Sequence, residues 1–205
     1  GTQPSSIHSA GGRLAARAWR KAHAPADARG YRSRMHLEGS CHCGVVRFRL
    51  ESSEPWPYQR CYCSICRKTA GGGGYAINLG GDYRSLQVEG REHLGVYQAH
   101  ITDAETGEVK ISDGRRHFCR HCASALWLWD PNWPELVHPF ASAIDTDLPI
   151  PPEHTHLMLD SKASWVEPQV QGHDRCFAEY PDESLAQWHQ RLELDDGCAP
   201  AARRG

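Results

Sequence analysis

Residues 39–50 read GSCHCGVVRFRL, a Cys-x-Cys-Gly turn followed at once by alternating side chains. Val46, Phe48 and Leu50 fall on one face, with Val45, Arg47 and Arg49 on the other. That alternation predicts a half-buried strand leaving the turn. Gly44 suits the turn, because a glycine after the second cysteine adopts backbone angles closed to other residues. Two further clusters lie downstream, Cys61-Tyr62-Cys63-Ser64-Ile65-Cys66 and Cys119-Arg120-His121-Cys122. Seven of the nine cysteines therefore sit in three tight groups. Thiolates one or two residues apart at a tight turn can share one zinc ion at about 2.3 Å. Seven ligands divide naturally into four plus three: a structural zinc takes four protein ligands, and a catalytic one keeps a position open. Spacing alone does not fix which cysteines share a metal.

Working outward, Tyr75–Leu79, Leu86–Glu89, Val96–Ile101, Val109–Ile111, Arg115–Phe118 and Ala125–Trp129 read as short strands between Gly- and Asp-rich turns. Glu51–Pro57 reads as a breaker, residues 130–155 as a long proline-rich surface connection, and His156–Leu159 as a last strand. One helix is expected, with Asp182 as N-cap, Leu185, Trp188 and Leu192 on one face, and Gly197 as its stop. The expectation is a mainly β fold of short antiparallel strands, stapled by zinc, with one C-terminal helix.

The chain has 205 residues, 40% hydrophobic and 23% charged, which fits one globular domain with extensions. Charge is uneven. Of 23 basic and 25 acidic side chains, seven and one lie in residues 1–34, which leaves the remainder a formal −8. A body that acidic is a poor generic ligand for phosphate backbones, so nucleic acid is not an expected partner. The expected organisation is an N-terminal extension over 1–34, disordered or non-native, a zinc-binding domain over 35–195 and a tail over 196–205. The extension is Arg-rich like a transit peptide, but it lacks the apolar segment of a secretory signal. No apolar run approaches the roughly 20 residues that span a bilayer. Clustered thiols without a secretory signal point to a reducing, cytoplasmic setting and to metal ligation.

The sequence resembles the family of glutathione-dependent formaldehyde-activating enzymes, which includes centromere protein V. GSCHCGVVRF (39–48), CYCSICRK (61–68), FCRHCASAL (118–126) and SKASWV (161–166) carry the resemblance, in matching order and spacing over roughly residues 36–190. It implies a tent-like β fold in which the first and third clusters meet. Cys41, Cys43, Cys119 and Cys122 would hold a structural zinc, and Cys61, Cys63 and Cys66 a second, open one. It also implies a carbon–sulfur lyase that joins glutathione and formaldehyde as S-hydroxymethylglutathione. Two positions depart from the family pattern: Tyr62 replaces a commonly polar residue such as histidine, and Ala123 replaces the usual glycine.

Arg67 and Lys68 follow Cys66 and are candidate contacts for a glutathione carboxylate, against a reading as a solvated basic pair. Gly71–Gly74 reads as a flexible turn. His42, His117 and His121 are expected as solvent-facing neighbours of ligands, and His154 and His156 as a surface strand end. Trp127, Trp129, Trp133 and Trp165 are expected in the core, and Cys176 and Cys198 as unligated thiols. The alternative function is a non-catalytic zinc module for a protein or chromatin partner. It requires both metal sites to be closed, with His117 or His121 as a ligand.

Overall fold

The structure, a computed structural model, describes residues 35–52, 58–103 and 105–192. The expected extension over 1–34, the breaker at 53–57, Gly197, Cys198 and the tail lie outside the described residues.

Three sheets make up the fold. In the first, β1 (Met35–Ser40), β2 (Arg47–Ser52) and β6 (Gln87–Glu89) are all antiparallel neighbours. The second has the order β5 (Gly81–Asp82), β10 (Leu136–Pro139), β9 (Ala125–Trp129), β8 (Val109–Cys119), β7 (Leu94–Thr102). The third runs β12 (Arg175–Cys176), β11 (Thr155–Leu157), β3 (Gln59–Cys61), β4 (Ala76–Asn78). Here β11 is parallel to both its neighbours, an exception to the antiparallel rule of the rest. The mainly β expectation holds.

The alternation in 45–50 works as the pattern predicts. Val46, Phe48 and Leu50 are buried, while Arg49 is exposed. They meet Leu37 from β1 and Leu126, Trp127 and Val137 from the second sheet in one core. Phe48 packs edge-on against Trp127, with ring centroids 5.2 Å apart. Burying such side chains is the main favourable term of folding, roughly 25 cal/mol per Å² of apolar surface.

Four expectations change. The stretch 130–155 is not a surface connection throughout: β10 lies inside it, with Val137, Pro139 and Phe140 buried. Pro139 has no N–H to give, yet Leu79 N–H bonds its carbonyl at 2.9 Å, which is how a proline serves in a sheet. The strands expected over 109–111 and 115–118 are one strand, β8, paired with β7 along its length with one irregularity. A second helix is present, α1 (Ser64–Ala70), inside the middle cysteine cluster. The C-terminal helix α2 (Leu185–Arg191) starts from Ser184, not Asp182. Ser184 and Gln187 form a reciprocal capping box, which satisfies two helix N–H groups that Asp182 is too far upstream to reach. Trp188 anchors α2, buried with its Nε1–H on Glu153 Oε1 at 2.9 Å. Among the described residues no helix is long and apolar enough to cross a membrane.

Candidate metal centres

The first and third cysteine clusters occupy the turns of two hairpins from different sheets. Cys41 and Cys43 lie between β1 and β2; Cys119 ends β8, and Cys122 precedes β9. Each turn closes on itself. Gly44 N–H bonds Cys41 O at 3.0 Å, and Ala123 N–H bonds Cys119 O at 2.9 Å. Both residues after the last cysteine are left-handed, Gly44 at φ 77° and Ala123 at φ 59°. The alanine therefore stands where the turn geometry favours glycine. The hairpin turns are tied together by His42 N–H donating to Ser124 Oγ at 3.1 Å.

This brings Cys41, Cys43, Cys119 and Cys122 into one group, every sulfur within 4.8 Å of the others. Cys41 Sγ and Cys43 Sγ are 3.5 Å apart, and Cys43 Sγ and Cys119 Sγ 3.8 Å. An ion about 2.3 Å from four tetrahedral sulfurs sets their separation at about 3.8 Å, so the cage has the size a thiolate-bound metal requires. Backbone N–H groups already point at the sulfurs: Val46 to Cys41 at 3.3 Å and His121 to Cys119 at 3.4 Å. Such bonds orient thiolate ligands and offset their charge. Cys122 is lowered below the ordinary thiol value, first by the Ser124 hydroxyl.

Cys61, Cys63 and Cys66 form the second group, again within 4.8 Å of one another. Cys61 ends β3, Cys63 caps α1, and Cys66 lies in that helix's first turn. Cys66 N–H donates to Cys63 Sγ at 3.3 Å, so the cap itself prepares a thiolate. Phe140, Leu157 and Ala76 pack behind the cluster. Hydrogen bonds from the Cys61 and Cys66 thiols pull Cys63 down, while the same contacts and burial push Cys61 up. Three thiols this close cannot all ionise without a cation among them. No histidine or carboxylate joins either group among the described residues. The four-plus-three division is thus present in space, and each group can hold a metal ion.

Histidines are placed differently from the sequence expectation in three cases. His42 and His121 are exposed, and His121 meets His93, Nε2 to Nδ1, at 3.1 Å. His117 is not a solvent-facing turn residue. It lies in β8, stacked on Trp127 at 4.9 Å, with its basicity lowered by burial. His154 and His156 are not a surface strand end; both are buried. Asp174 explains it: His154 Nδ1 lies 3.1 Å and His156 Nε2 3.2 Å from its two oxygens. His156 Nδ1 in turn lies 2.9 Å from the Tyr62 hydroxyl. Tyr62, the residue between Cys61 and Cys63, is fully buried and backs the cluster from inside. Trp127 is in the core as expected, whereas Trp133 and Trp165 are exposed. Cys176 is an exposed free thiol.

Arg67, one residue past Cys66, is half-buried with Nε shielded and unpartnered; Lys68 is exposed. Two residues not singled out from the sequence also lie within electrostatic reach of the three-cysteine group. Tyr180 is a largely exposed side chain whose hydroxyl is raised by partial desolvation and then by the charges of Cys61, Cys63 and Cys66. Arg116 acts on Cys66 with the opposite sign, favouring its thiolate. The signal available for Arg116 was strand alternation, which places it with Gly114 on the inward face of β8.

A mainly β fold with two all-thiol groups, one of four sulfurs and one of three, defines a class of protein able to hold metal ions at both. The family described as glutathione-dependent formaldehyde-activating enzyme matches residues 36–160. A protein of Halomonas elongata named "Putative glutathione-dependent formaldehyde-activating enzyme" is 66% identical over 163 residues, covering 80% of this chain and 100% of that one. A solved structure of a Rhodobacter sphaeroides protein is 27% identical, covers 55% of this chain and 91% of that chain, and superposes with a TM-score of 0.40. The chain belongs to the glutathione-dependent formaldehyde-activating enzyme family.

Proposed function

We propose that the protein is a zinc-dependent carbon–sulfur lyase of the S-hydroxymethylglutathione synthase type, joining glutathione to formaldehyde. One observation carries the reading: among the described residues the second thiol group has three ligands and no fourth. All-thiol donor sets select zinc over magnesium or calcium, so two zinc ions per chain is the proposed complement. Cys41, Cys43, Cys119 and Cys122 would hold the structural ion, and Cys61, Cys63 and Cys66 the open one. Bound there, zinc supplies a free position at which an incoming thiol is kept as its thiolate.

The residues of the chain set up the rest. Cys63, as N-cap of α1, is held by backbone N–H groups in a fixed direction, and Cys66 is fixed one helical turn on. Phe140 and Leu157 pack in the same cluster as Cys61 and Cys66, and Arg116 and Tyr180 lie within electrostatic reach of the cysteines. The reaction forms one carbon–sulfur bond and opens the carbonyl π bond, and the proton lost by the thiol ends on the new hydroxyl. The protein contributes proximity and orientation between thiolate and aldehyde. Clustered free thiols require a reducing compartment, so the cytoplasm is the proposed location. Residues 35–195 would form the functional domain.

Exchange spectroscopy on ¹³C-formaldehyde with glutathione tests the reading. The zinc-loaded protein is expected to accelerate interconversion of free aldehyde and adduct, and Cys63→Ser to abolish the acceleration. Exchange at the uncatalysed rate with the zinc-loaded parent protein would refute it.

A further inference from the structure

Arg116 lies in β8, opposite Tyr97 on one side and Leu128 on the other. Residues directly opposite across a ladder share a face. Leu128 packs against the cluster of Cys61, Cys66 and Phe140, so Arg116 leaves the sheet on the side of the three-cysteine group. Arg115 and His117 take the other face, stacked over Trp129 and Trp127. Arg116 is 9% exposed, and its Nε and Nη1 are buried without a hydrogen-bond partner among the described residues. Buried guanidinium donors are nearly always paired, because an unpaired charged donor bears its full desolvation cost. Among the described residues no cysteine sulfur, carboxylate or carbonyl takes that place. Arg67, on α1 beside Cys66, repeats the feature with a buried, unpartnered Nε.

The nature of the missing acceptor follows from the charges. Three thiolates around a divalent ion leave about −1, which repels an anionic ligand unless cations stand nearby. A guanidinium presents fixed donors suited to an oxyanion, and a carboxylate is the smallest such group that a thiol compound can carry beside its sulfur. We propose that Arg116, assisted by Arg67, is the carboxylate-binding residue of the three-cysteine site. It selects thiols that carry a carboxylate over neutral thiols of the same shape. This rests on the reading of that site as an open, thiol-binding one. It adds a specificity residue placed not by the cysteine motifs but by the inward face of β8.

The test uses the full chain loaded with cobalt(II), whose visible spectrum reports a thiol entering the coordination shell. It compares 3-mercaptopropionate with 3-mercaptopropionamide, matched in length and differing in the carboxylate. In the parent protein the carboxylate thiol is expected to bind about tenfold tighter or more, as a charge-assisted hydrogen bond implies. In Arg116→Gln the preference should vanish while the amide binds as before, and Arg116→Lys should retain part of it. Equal affinities in the parent, which needs no variant, would overturn the proposal. So would a preference that survives Arg116→Gln, or equal weakening of both thiols in that variant. If neither thiol changes the spectrum, the open-site reading falls, and this inference falls with it.

Discussion

Zinc buffering should measure how much of the fold depends on its thiol groups, and how many such groups there are. Cys43 and Cys119 are 76 residues apart in sequence, so the four-thiol cage exists only when two hairpins from different sheets have met. The unfolded chain keeps pairs of cysteines but loses the cage, and zinc therefore binds the folded state preferentially. At saturation, each tenfold fall in free zinc removes about 1.4 kcal/mol of stability per ion released on unfolding. Two ions give a slope of about 2.8 kcal/mol per decade, so two to five decades span the roughly 5–15 kcal/mol of an ordinary domain. The assay is urea unfolding followed by tryptophan fluorescence, in chelator buffers of defined free zinc at fixed pH. Cys63→Ser should retain a slope of about 1.4 kcal/mol per decade, because the four-thiol group remains. A parent slope near zero, or one unchanged by Cys63→Ser, would refute the assignment of two folded-state zinc sites.

Other outcomes follow from particular contacts. Trp188→Ala, which removes the buried anchor of α2 and its bond to Glu153, should cost about 3–5 kcal/mol in urea unfolding. Ala123→Gly should stabilise by about 0.5–1 kcal/mol, because Ala123 holds φ 59° where glycine carries no penalty; a loss would contradict the strain argument. Asp174 is held below the ordinary carboxylate range: burial opposes this, but N–H groups of Gln171 and His154 and the rings of His156 and His154 outweigh it. A depressed folded value contributes stability present above the unfolded carboxyl's value near about 4 and lost as pH falls below it. Asp174→Asn should therefore cost about 1–3 kcal/mol at neutral pH, with the gap to the parent closing below about pH 4. A constant gap across that range in acid titration of stability would count against it.

The sequence was most informative where chemistry is local. CxC, CxCxxC and CxxC are contiguous, so their ligand character was readable, and the alternation of Val46, Phe48 and Leu50 gave both a strand and its buried face. What it hid depends on distant partners. His154 and His156 look like surface residues until Asp174, 18 residues beyond His156, arrives beside them through the pairing of β11 with β12. β10 was obscured because Pro134 precedes it and Pro139 ends it, and only its pairing with β5 on one side and β9 on the other shows that a proline at its last position is tolerated. α1 has seven residues and no apolar stripe; Cys63 and Cys66 hold it, not amphipathic packing. Arg116 was passed over because Arg115–Phe118 reads only as a short strand, and which of its faces turns inward is decided by Leu128 across the ladder.

The central claim, one closed and one open thiolate zinc, is tested most directly by X-ray absorption at the zinc edge on the fully loaded protein. The account predicts an average of about 3.5 sulfurs per zinc at about 2.3 Å, with a lighter atom completing the mean shell, rising to about four sulfurs with saturating glutathione. Four sulfurs per zinc before any thiol is added, or a shell that glutathione leaves unchanged, would contradict it.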